Sequence, residues 1–271
     1  MGKNPFFPVV FPKAGAACPA TFDSNNLSML HQILALSSSR VGGGGYLEAA
    51  LPLIREVLGD EPRTIAFLPF AAVGISDEAY GDRVRAALEG LPYKVEVHSP
   101  ENARTLLSSC DAIMVGGGNT FKLLSELYRN NLIDRIRNRV LQGIPYIGWS
   151  AGSNVIGRSI CTTNDMPIVQ PDSFLALRLI NFQINPHYHN IQVPGFHGET
   201  RDDRLTEFCQ LNPGIPVLAL PEGTALHLYG EELRYRGNVP GYLFTGGPGR
   251  NEVQREELAP GTDLGPRIYG D

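Results

Sequence analysis

The chain has 271 residues and a formal net charge of −5, because 28 acidic side chains outnumber 23 basic ones. No run of Lys or Arg supplies the phosphate contacts on which nucleic-acid or anionic-membrane binding depends, so we expect neither partner. No apolar stretch approaches the roughly 20 residues that span a bilayer. The first thirty residues also lack the continuous apolar segment of a signal peptide.

The cysteines lie far apart, with no C-x-x-C pair among Cys18, Cys110, Cys161 and Cys209. A chain of this length can fold without disulfides, so free thiols in a reducing compartment are the better interpretation. We therefore expect a cytoplasmic protein.

Residues 1–30 are rich in Pro, Ala, Asn and Ser and show little periodicity. They predict an N-terminal extension that is weakly structured or draped over the rest. The regular pattern that begins at residue 31 predicts a single α/β domain over residues 31–271.

Short apolar runs alternate along this domain with segments of helical periodicity. Strands are predicted at 33–36, 64–68, 93–97, 112–115 and 144–147, and helices at 46–58, 77–91, 101–109 and, as one or two helices, 121–141. Such alternation indicates a doubly wound, mainly parallel sheet with helices on both faces. Ligands of these sheets bind at the carboxyl ends of the strands.

The fifth strand runs into the sequence Gly148-Trp-Ser-Ala-Gly152 and then into a helix-compatible segment. This pattern is typical of a nucleophile elbow, a tight turn that exposes the hydroxyl of Ser150 and aims the N–H of Ala151 at an oxyanion. An ordinary Gly/Ser turn is the alternative, because G-x-S-x-G is common by chance in a chain with 30 glycines.

Two glycine-rich loops also follow predicted strands, at residues 42–45 and 116–118. Leu47 stands where the third glycine of G-x-G-x-x-G belongs, and no G-K-[ST] occurs, so we expect no nucleotide or other cofactor. The loop at 116–118 is suited instead to bring backbone N–H groups close to a substrate oxygen.

A serine nucleophile needs a general base, and the best candidate is His187 in the cluster Asn185-Pro-His-Tyr-His189, after the strand-like segment 182–184. The alternative is a metal site of His187, His189 and His197, but this spacing matches no zinc motif, so we expect no metal. The other three histidines are expected to be structural: His31, His98 and His227.

Six motifs occur in order between residue 31 and about residue 250: Val115-Gly-Gly-Gly-Asn-Thr-Phe121, Gly148-Trp-Ser-Ala-Gly152, Thr162-Thr-Asn-Asp-Met-Pro-Ile168, Gln183-Ile-Asn-Pro-His187, Gly198-Glu-Thr-Arg201 and Leu220-Pro-Glu-Gly223. Together they resemble the peptidase E (α-aspartyl dipeptidase) family, whose fold is related to class I glutamine amidotransferases with serine in place of cysteine. The resemblance implies Ser150 as nucleophile, His187 as general base, and the N–H groups of Gly118 and Ala151 as the oxyanion hole.

Two carboxylates match family motifs for the third member of the triad, Asp165 in Thr-Asn-Asp-Met and Glu222 in Leu-Pro-Glu-Gly. Either could hold the imidazole of His187 in the required tautomer. The sequence leaves the choice open, and the other carboxylate is expected to line the substrate site, near the substrate's ammonium group. Both also have structural alternatives, as a turn cap before Pro167 and as part of a Pro-Glu-Gly turn.

An acidic substrate side chain requires a cation, and Arg can hold a carboxylate through two parallel hydrogen bonds. The family motif points to Arg201, with Asn119 and His197 as further substrate-binding candidates and Tyr188 nearby. The alternative for Arg201 is surface pairing with its acidic neighbours Glu199, Asp202 and Asp203.

The resemblance therefore implies a metal-independent serine-type dipeptidase that hydrolyses Asp-X dipeptides through an acyl-enzyme. A small peptide with N-terminal Asp is the expected partner, and a homodimer is left open. Two other functions remain as alternatives: a cyanophycinase-like hydrolase of a β-linked Asp-Arg polymer, and a non-catalytic relative that binds small ligands.

Overall fold

The computed structural model describes residues 31–99, 102, 105–192, 194–195, 197–247, 249 and 252–269. The extension predicted for residues 1–30, with Cys18, lies outside these residues, as do parts of the helix predicted at 101–109. Across the described ranges, no helix has the length and apolar character needed to cross a membrane.

The described residues form two sheets. The larger sheet has seven strands: β1 (Gln32–Leu36), β2 (Arg63–Leu68), β3 (Tyr93–Val97), β4 (Ala112–Val115), β5 (Tyr146–Trp149), β8 (Ala225–Tyr229) and β9 (Glu232–Arg236). Their order across the sheet is β3-β2-β4-β5-β1-β8-β9. The strands β1 to β5 run parallel to one another, whereas β8 and β9 add an antiparallel edge beside β1.

The parallel strands read as continuous apolar runs because both faces of this sheet are covered. In β1, Ile33 and Ala35 join one buried cluster, while Leu34 and Leu36 join a second cluster on the opposite face. The two clusters contain residues of the flanking helices, as a doubly wound sheet requires. The predicted fold class is thereby confirmed.

In the part of the chain that the structure describes, a short 3-10 helix (Glu48–Ala50) and eight α-helices connect and cover the strands. The α-helices are α1 (Leu51–Leu58), α2 (Asp77–Ala87), α3 (Leu106–Ser109), α4 (Thr120–Arg129), α5 (Ile133–Leu141), α6 (Ala151–Asn154), α7 (Arg201–Leu211) and α8 (Gly265–Tyr269).

A smaller sheet of four strands has the order β11-β10-β7-β6. Its strands are β6 (Gln183–Asn185), β7 (Val217–Ala219), β10 (Gly241–Gly246) and β11 (Val253–Leu258), with only β6 and β7 parallel. The chain leaves β6 towards His187 and leaves β7 towards Glu222. The strand before His187 thus belongs to a different sheet from the strand before Ser150, a division that the sequence pattern did not predict.

Several predicted boundaries shift for local reasons. The helix predicted from residue 46 becomes α-helical only at Leu51. Pro52 lies in its first turn, where backbone N–H groups have no acceptor within the helix, so the missing N–H of proline costs no hydrogen bond. The helix predicted to residue 91 ends at Ala87, before Gly90 turns the chain with φ 83°. The strand predicted at 144–147 lies at Tyr146–Trp149 and therefore reaches the residue before Ser150.

Candidate active site

Ser150 occupies a sharp turn between β5 and α6. Its backbone has φ 53° and ψ −112°, a conformation that costs energy for any residue with a Cβ. A Cβ added to Gly148 would lie 2.5 Å from the carbonyl oxygen of Gly152, and one added to Gly152 would overlap the carbonyl oxygen of Val115. The glycines at both positions are therefore required for the turn to form as it does.

His187 lies directly beside this serine. Its Nε2 is 2.9 Å from the Ser150 Oγ, and its Nδ1 is 2.8 Å from the Glu222 Oε1. Serine, histidine and carboxylate therefore form one continuous hydrogen-bonded chain. In a chain of this kind the imidazole can accept the serine proton while the carboxylate stabilises the imidazolium.

Asp165, the other predicted carboxylate, has different partners. Its Oδ2 accepts hydrogen bonds from the N–H of Thr120 at 2.7 Å and from the Thr163 hydroxyl at 3.2 Å. Thr120 is the first residue of α4, so Asp165 places a negative charge at the positive end of that helix. Of the two carboxylates, Glu222 is the one within hydrogen-bonding distance of the His187 Nδ1.

Two backbone segments adjoin Ser150: Ala151, which follows it in the sequence, and the glycine loop at residues 116–118. Ala151 begins α6, so its N–H has no partner inside the helix. Gly118 has φ 140°, and a Cβ there would overlap the backbone of Ala71. The neighbouring Gly117 packs directly against the serine, since a Cβ added to it would lie 3.0 Å from the Ser150 Cβ. The sequence did not single out Gly117.

The Ser150–His187–Glu222 chain opens into a cavity of about 650 Å³, a size that suits a small ligand. Asp165 and Arg201 lie on its wall, as does Asn154, one helical turn beyond the serine. Within the part of the chain that the structure describes, no group of three or more His, Cys, Asp or Glu side chains is placed to hold a metal ion.

Arg201 lines this cavity and has an unused donor. Its Nη1 is buried and has no hydrogen-bond partner among the described residues. Burial, followed by the charge of nearby Arg204, lowers the pKa of Arg201. A guanidinium nevertheless stays charged in proteins, so Arg201 adds a positive charge to this wall of the cavity.

The acidic neighbours of Arg201 are engaged elsewhere, which is why the surface-pairing alternative is not seen. Asp203 forms a capping box with Thr200 at the start of α7. Asp202 accepts hydrogen bonds from Tyr188 and Asn190, and Glu199 lies 3.6 Å from Arg204.

The remaining substrate-binding candidates are placed less directly. Both ends of the Asn119 amide hold backbone groups, because Nδ2 donates to the Met166 carbonyl at 2.8 Å and Oδ1 accepts from the Lys122 N–H at 3.0 Å. His197 lines an adjoining cavity of about 750 Å³ that shares Arg201 with the first one. A direct contact between substrate and either side chain stays a prediction.

Ser37, a residue that the sequence analysis did not single out, connects the two catalytic loops. It is completely buried after β1, accepts a hydrogen bond from the His187 N–H at 2.9 Å and donates to the Leu220 carbonyl at 2.7 Å. Leu220 precedes the turn that carries Glu222. The signal that could have found Ser37 is its position at the carboxyl end of a parallel strand, where ligand sites gather.

Comparison with known proteins places the chain in a family. The model of "Peptidase family S51" matches residues 33–236. The chain belongs to this family of serine peptidases. It is 48% identical to "Peptidase E" of Shewanella denitrificans over 232 residues, which cover 85% of this chain and 96% of that protein.

Two further comparisons agree with this placement. Peptidase E of Shewanella oneidensis is 47% identical over 232 residues, again with 85% of this chain and 96% of that protein covered. A solved peptidase from an acI-B1 actinobacterium shares the fold, with a TM-score of 0.60, 18% identity, and coverage of 87% of this chain and 96% of that one. The predicted resemblance to peptidase E and the predicted serine peptidase class are confirmed.

Proposed function

We propose that this peptidase hydrolyses dipeptides after an N-terminal aspartate, with Ser150 as nucleophile, His187 as general base and Glu222 as the carboxylate that orients the histidine. The observation that carries the proposal is the hydrogen-bonded chain of these three side chains, which opens into a cavity where Arg201 keeps a buried, unpaired donor. The first feature supports acyl transfer, and the second supports recognition of a carboxylate.

Catalysis begins when the Ser150 Oγ attacks the substrate carbonyl and its proton passes to the His187 Nε2. The negative charge that develops on the carbonyl oxygen is stabilised by the N–H groups of Gly118 and Ala151. His187 then gives its proton to the leaving amine as the C–N bond breaks. A water molecule, deprotonated by the same imidazole, then attacks the acyl-enzyme. The bond between the Ser150 Oγ and the acyl carbon breaks, Oγ takes the proton back from His187, and aspartate is released.

Specificity follows from the charges around the cavity. Arg201 would hold the substrate's side-chain carboxylate through two hydrogen bonds, because a carboxylate left unpaired at a partly buried site is costly. Asp165 lies on the same cavity wall, and we assign to it contact with the substrate's ammonium group in addition to its bonds to α4.

The setting of the enzyme is also part of the proposal. Among the described residues, Cys110, Cys161 and Cys209 form no disulfide with one another, which supports a reducing compartment such as the cytoplasm. Ser37 follows β1 of the large sheet and bonds to His187 and Leu220, which follow strands of the small sheet, and these bonds support one folded unit over residues 31–271. A homodimer stays a prediction.

The test is a panel of dipeptides offered to the wild-type protein in the presence of a metal chelator. We expect hydrolysis of Asp-Leu and little or none of Asn-Leu, Glu-Leu, Ala-Leu or β-Asp-Leu. Asn-Leu is the matched control because it has the shape of Asp-Leu without the charge.

Two outcomes would contradict the proposal. Cleavage of a β-linked Asp-Arg polymer without cleavage of Asp-Leu would indicate a cyanophycinase-like enzyme. Binding of aspartate by a well-folded protein that cleaves none of these substrates would indicate a non-catalytic relative.

A further inference from the structure

The Tyr80 hydroxyl lies behind the proposed oxyanion loop and makes three hydrogen bonds. Tyr80 extends from α2 and is only 4% exposed. Its hydroxyl is 2.9 Å from the Gly117 carbonyl oxygen, 3.0 Å from the Trp149 Nε1 and 3.1 Å from the Tyr46 hydroxyl. No step of the proposed mechanism uses this group.

The chemistry of the partners fixes the direction of each bond. A carbonyl oxygen only accepts, so Tyr80 must donate its single proton to Gly117. An indole N–H only donates, so Tyr80 accepts from Trp149, and its remaining lone pair accepts from Tyr46. The hydroxyl is thus fully occupied and has one orientation that satisfies every partner.

The ring of Tyr80 is held as firmly as its hydroxyl. Phe67 packs edge-to-face against it, with ring centroids 5.1 Å apart and an interplanar angle of 84°. On another side the ring touches Gly116 so closely that an added Cβ would lie 2.8 Å from the ring. The phenol therefore has little room to move relative to the glycine loop.

The bond to Gly117 acts on the next residue through the peptide plane. The carbonyl of Gly117 and the N–H of Gly118 belong to the same planar trans peptide and point in opposite directions. Holding the carbonyl therefore fixes the direction of the N–H. The glycines on both sides of this peptide do not by themselves fix its direction, because residues without a Cβ accept many backbone conformations.

We propose that Tyr80 is a positioning residue for the oxyanion hole: its hydroxyl anchors the Gly117 carbonyl and thereby aims the Gly118 N–H at the oxygen that becomes negative when Ser150 attacks. Trp149, the residue before the nucleophile, links this anchor to the elbow itself. The inference rests on the proposed function, because it assumes that Ser150 reacts and that Gly118 stabilises the developing charge.

The experiment compares Tyr80→Phe with wild type in the reaction of Ser150 with a fluorophosphonate. This reagent places a developing negative oxygen in the oxyanion hole but does not require an aspartyl substrate. Site-specific adduct formation is followed by mass spectrometry, and the inhibition constant of free aspartate is measured alongside. Both quantities are properties of each active site, so they do not depend on how much of the variant is folded.

The matched control is Tyr235→Phe. Tyr235 is also buried, and its hydroxyl also donates to a backbone carbonyl, that of Val239 at 2.7 Å, but on strand β9 at the far edge of the large sheet. We expect Tyr235→Phe to react at the wild-type rate.

For Tyr80→Phe we expect phosphonylation to slow by at least about tenfold, approaching the 10²–10³ cost of removing one oxyanion donor. The affinity for aspartate should stay unchanged, because the ground state does not use the oxyanion hole. In Asp-Leu hydrolysis, kcat should fall while KM stays the same.

An unchanged phosphonylation rate in Tyr80→Phe would overturn the inference, as would equal losses of reactivity and aspartate affinity, which indicate general loosening of the site. Failure of wild-type Ser150 to react would overturn both this inference and the proposed nucleophile. If wild-type Ser150 reacts but Asp-Leu is not cleaved, only the proposed specificity fails, and the comparison of reaction rates still decides the role of Tyr80.

Discussion

Replacing Arg201 with methionine tests the basis of aspartyl specificity. Methionine keeps much of the length of the side chain and removes the charge. The buried Nη1 has no partner among the described residues, so the substitution breaks no internal pair of the kind that would complicate the result. Any loss of activity towards Asp-Leu then reports the interaction with substrate.

The size of the effect follows from the position of Arg201 at the wall of a cavity that is partly open to water. Two opposite charges about 4 Å apart in such a setting interact by about 4 kcal/mol. Desolvation of the carboxylate reduces this gain, so the substitution should cost at most about 3–4 kcal/mol of transition-state stabilisation. Each 1.36 kcal/mol corresponds to a factor of ten in rate. We therefore expect kcat/KM for Asp-Leu to fall by roughly 10²–10³.

The assay measures kcat/KM for Asp-Leu and Asn-Leu with wild type, Arg201→Met and Arg204→Met. Arg204 lies three residues further along α7, is 59% exposed and pairs with Glu199, so its loss should change either value less than about threefold. For Arg201→Met, activity towards Asn-Leu should remain near its wild-type level. If Arg201→Met lowers kcat/KM equally for both substrates, so that the ratio of the two values is unchanged, Arg201 does not recognise the carboxylate.

Three further predictions concern the catalytic carboxylate, the loop anchor and pH. Glu222→Gln should lower kcat more than Asp165→Asn does, because of these two carboxylates Glu222 is the one at the His187 Nδ1. Steady-state kinetics that show the reverse order would make Asp165 the third member of the triad. Ser37→Ala should lower kcat, and it should lower the free energy of unfolding in urea by about 1–3 kcal/mol, since the buried His187 N–H loses its acceptor. Wild-type values of both quantities would refute the role of Ser37. Burial lowers the pKa of His227, so the stability contributed by its neutral form is complete above pH 6.5 and is lost as the pH falls towards the folded pKa. His227→Gln should therefore lose less stability below pH 6.5 than wild type does. Identical profiles of stability against pH for the two proteins would contradict this.

The sequence predicted what depends on neighbouring residues. Gly148 and Gly152 flank Ser150 closely enough that their role in the turn can be read from local geometry, and the structure gives that turn the backbone expected of it. The buried parallel strands could also be predicted from the sequence, because a strand buried on both faces is a continuous apolar run.

Contacts between distant segments could not be predicted in this way. Ser37 meets His187 across 150 positions of the chain, and Tyr80 meets Gly117 across 37. Glu222 and Asp165 follow equally plausible motifs, and only the folded geometry separates them. The difference is physical: strand pairing and loop approach depend on the packing of the whole chain, and no local pattern encodes which distant carboxylate arrives beside a given imidazole.

Asn119 illustrates a second limit. Its place in a family motif predicted contact with substrate, yet in the structure its side chain caps α4 and holds the loop that contains Met166. A residue type fitted to both tasks cannot be assigned to one of them without knowing where its amide points.

The role of Ser150 as nucleophile is tested most directly by the rate of Asp-Leu hydrolysis by Ser150→Ala beside wild type, with chelator present and equal amounts of folded protein. We expect kcat to fall by at least about 10³, because removal of the nucleophile leaves only binding and the oxyanion hole. Hydrolysis by Ser150→Ala within tenfold of wild type would contradict the claim that Ser150 carries out the reaction.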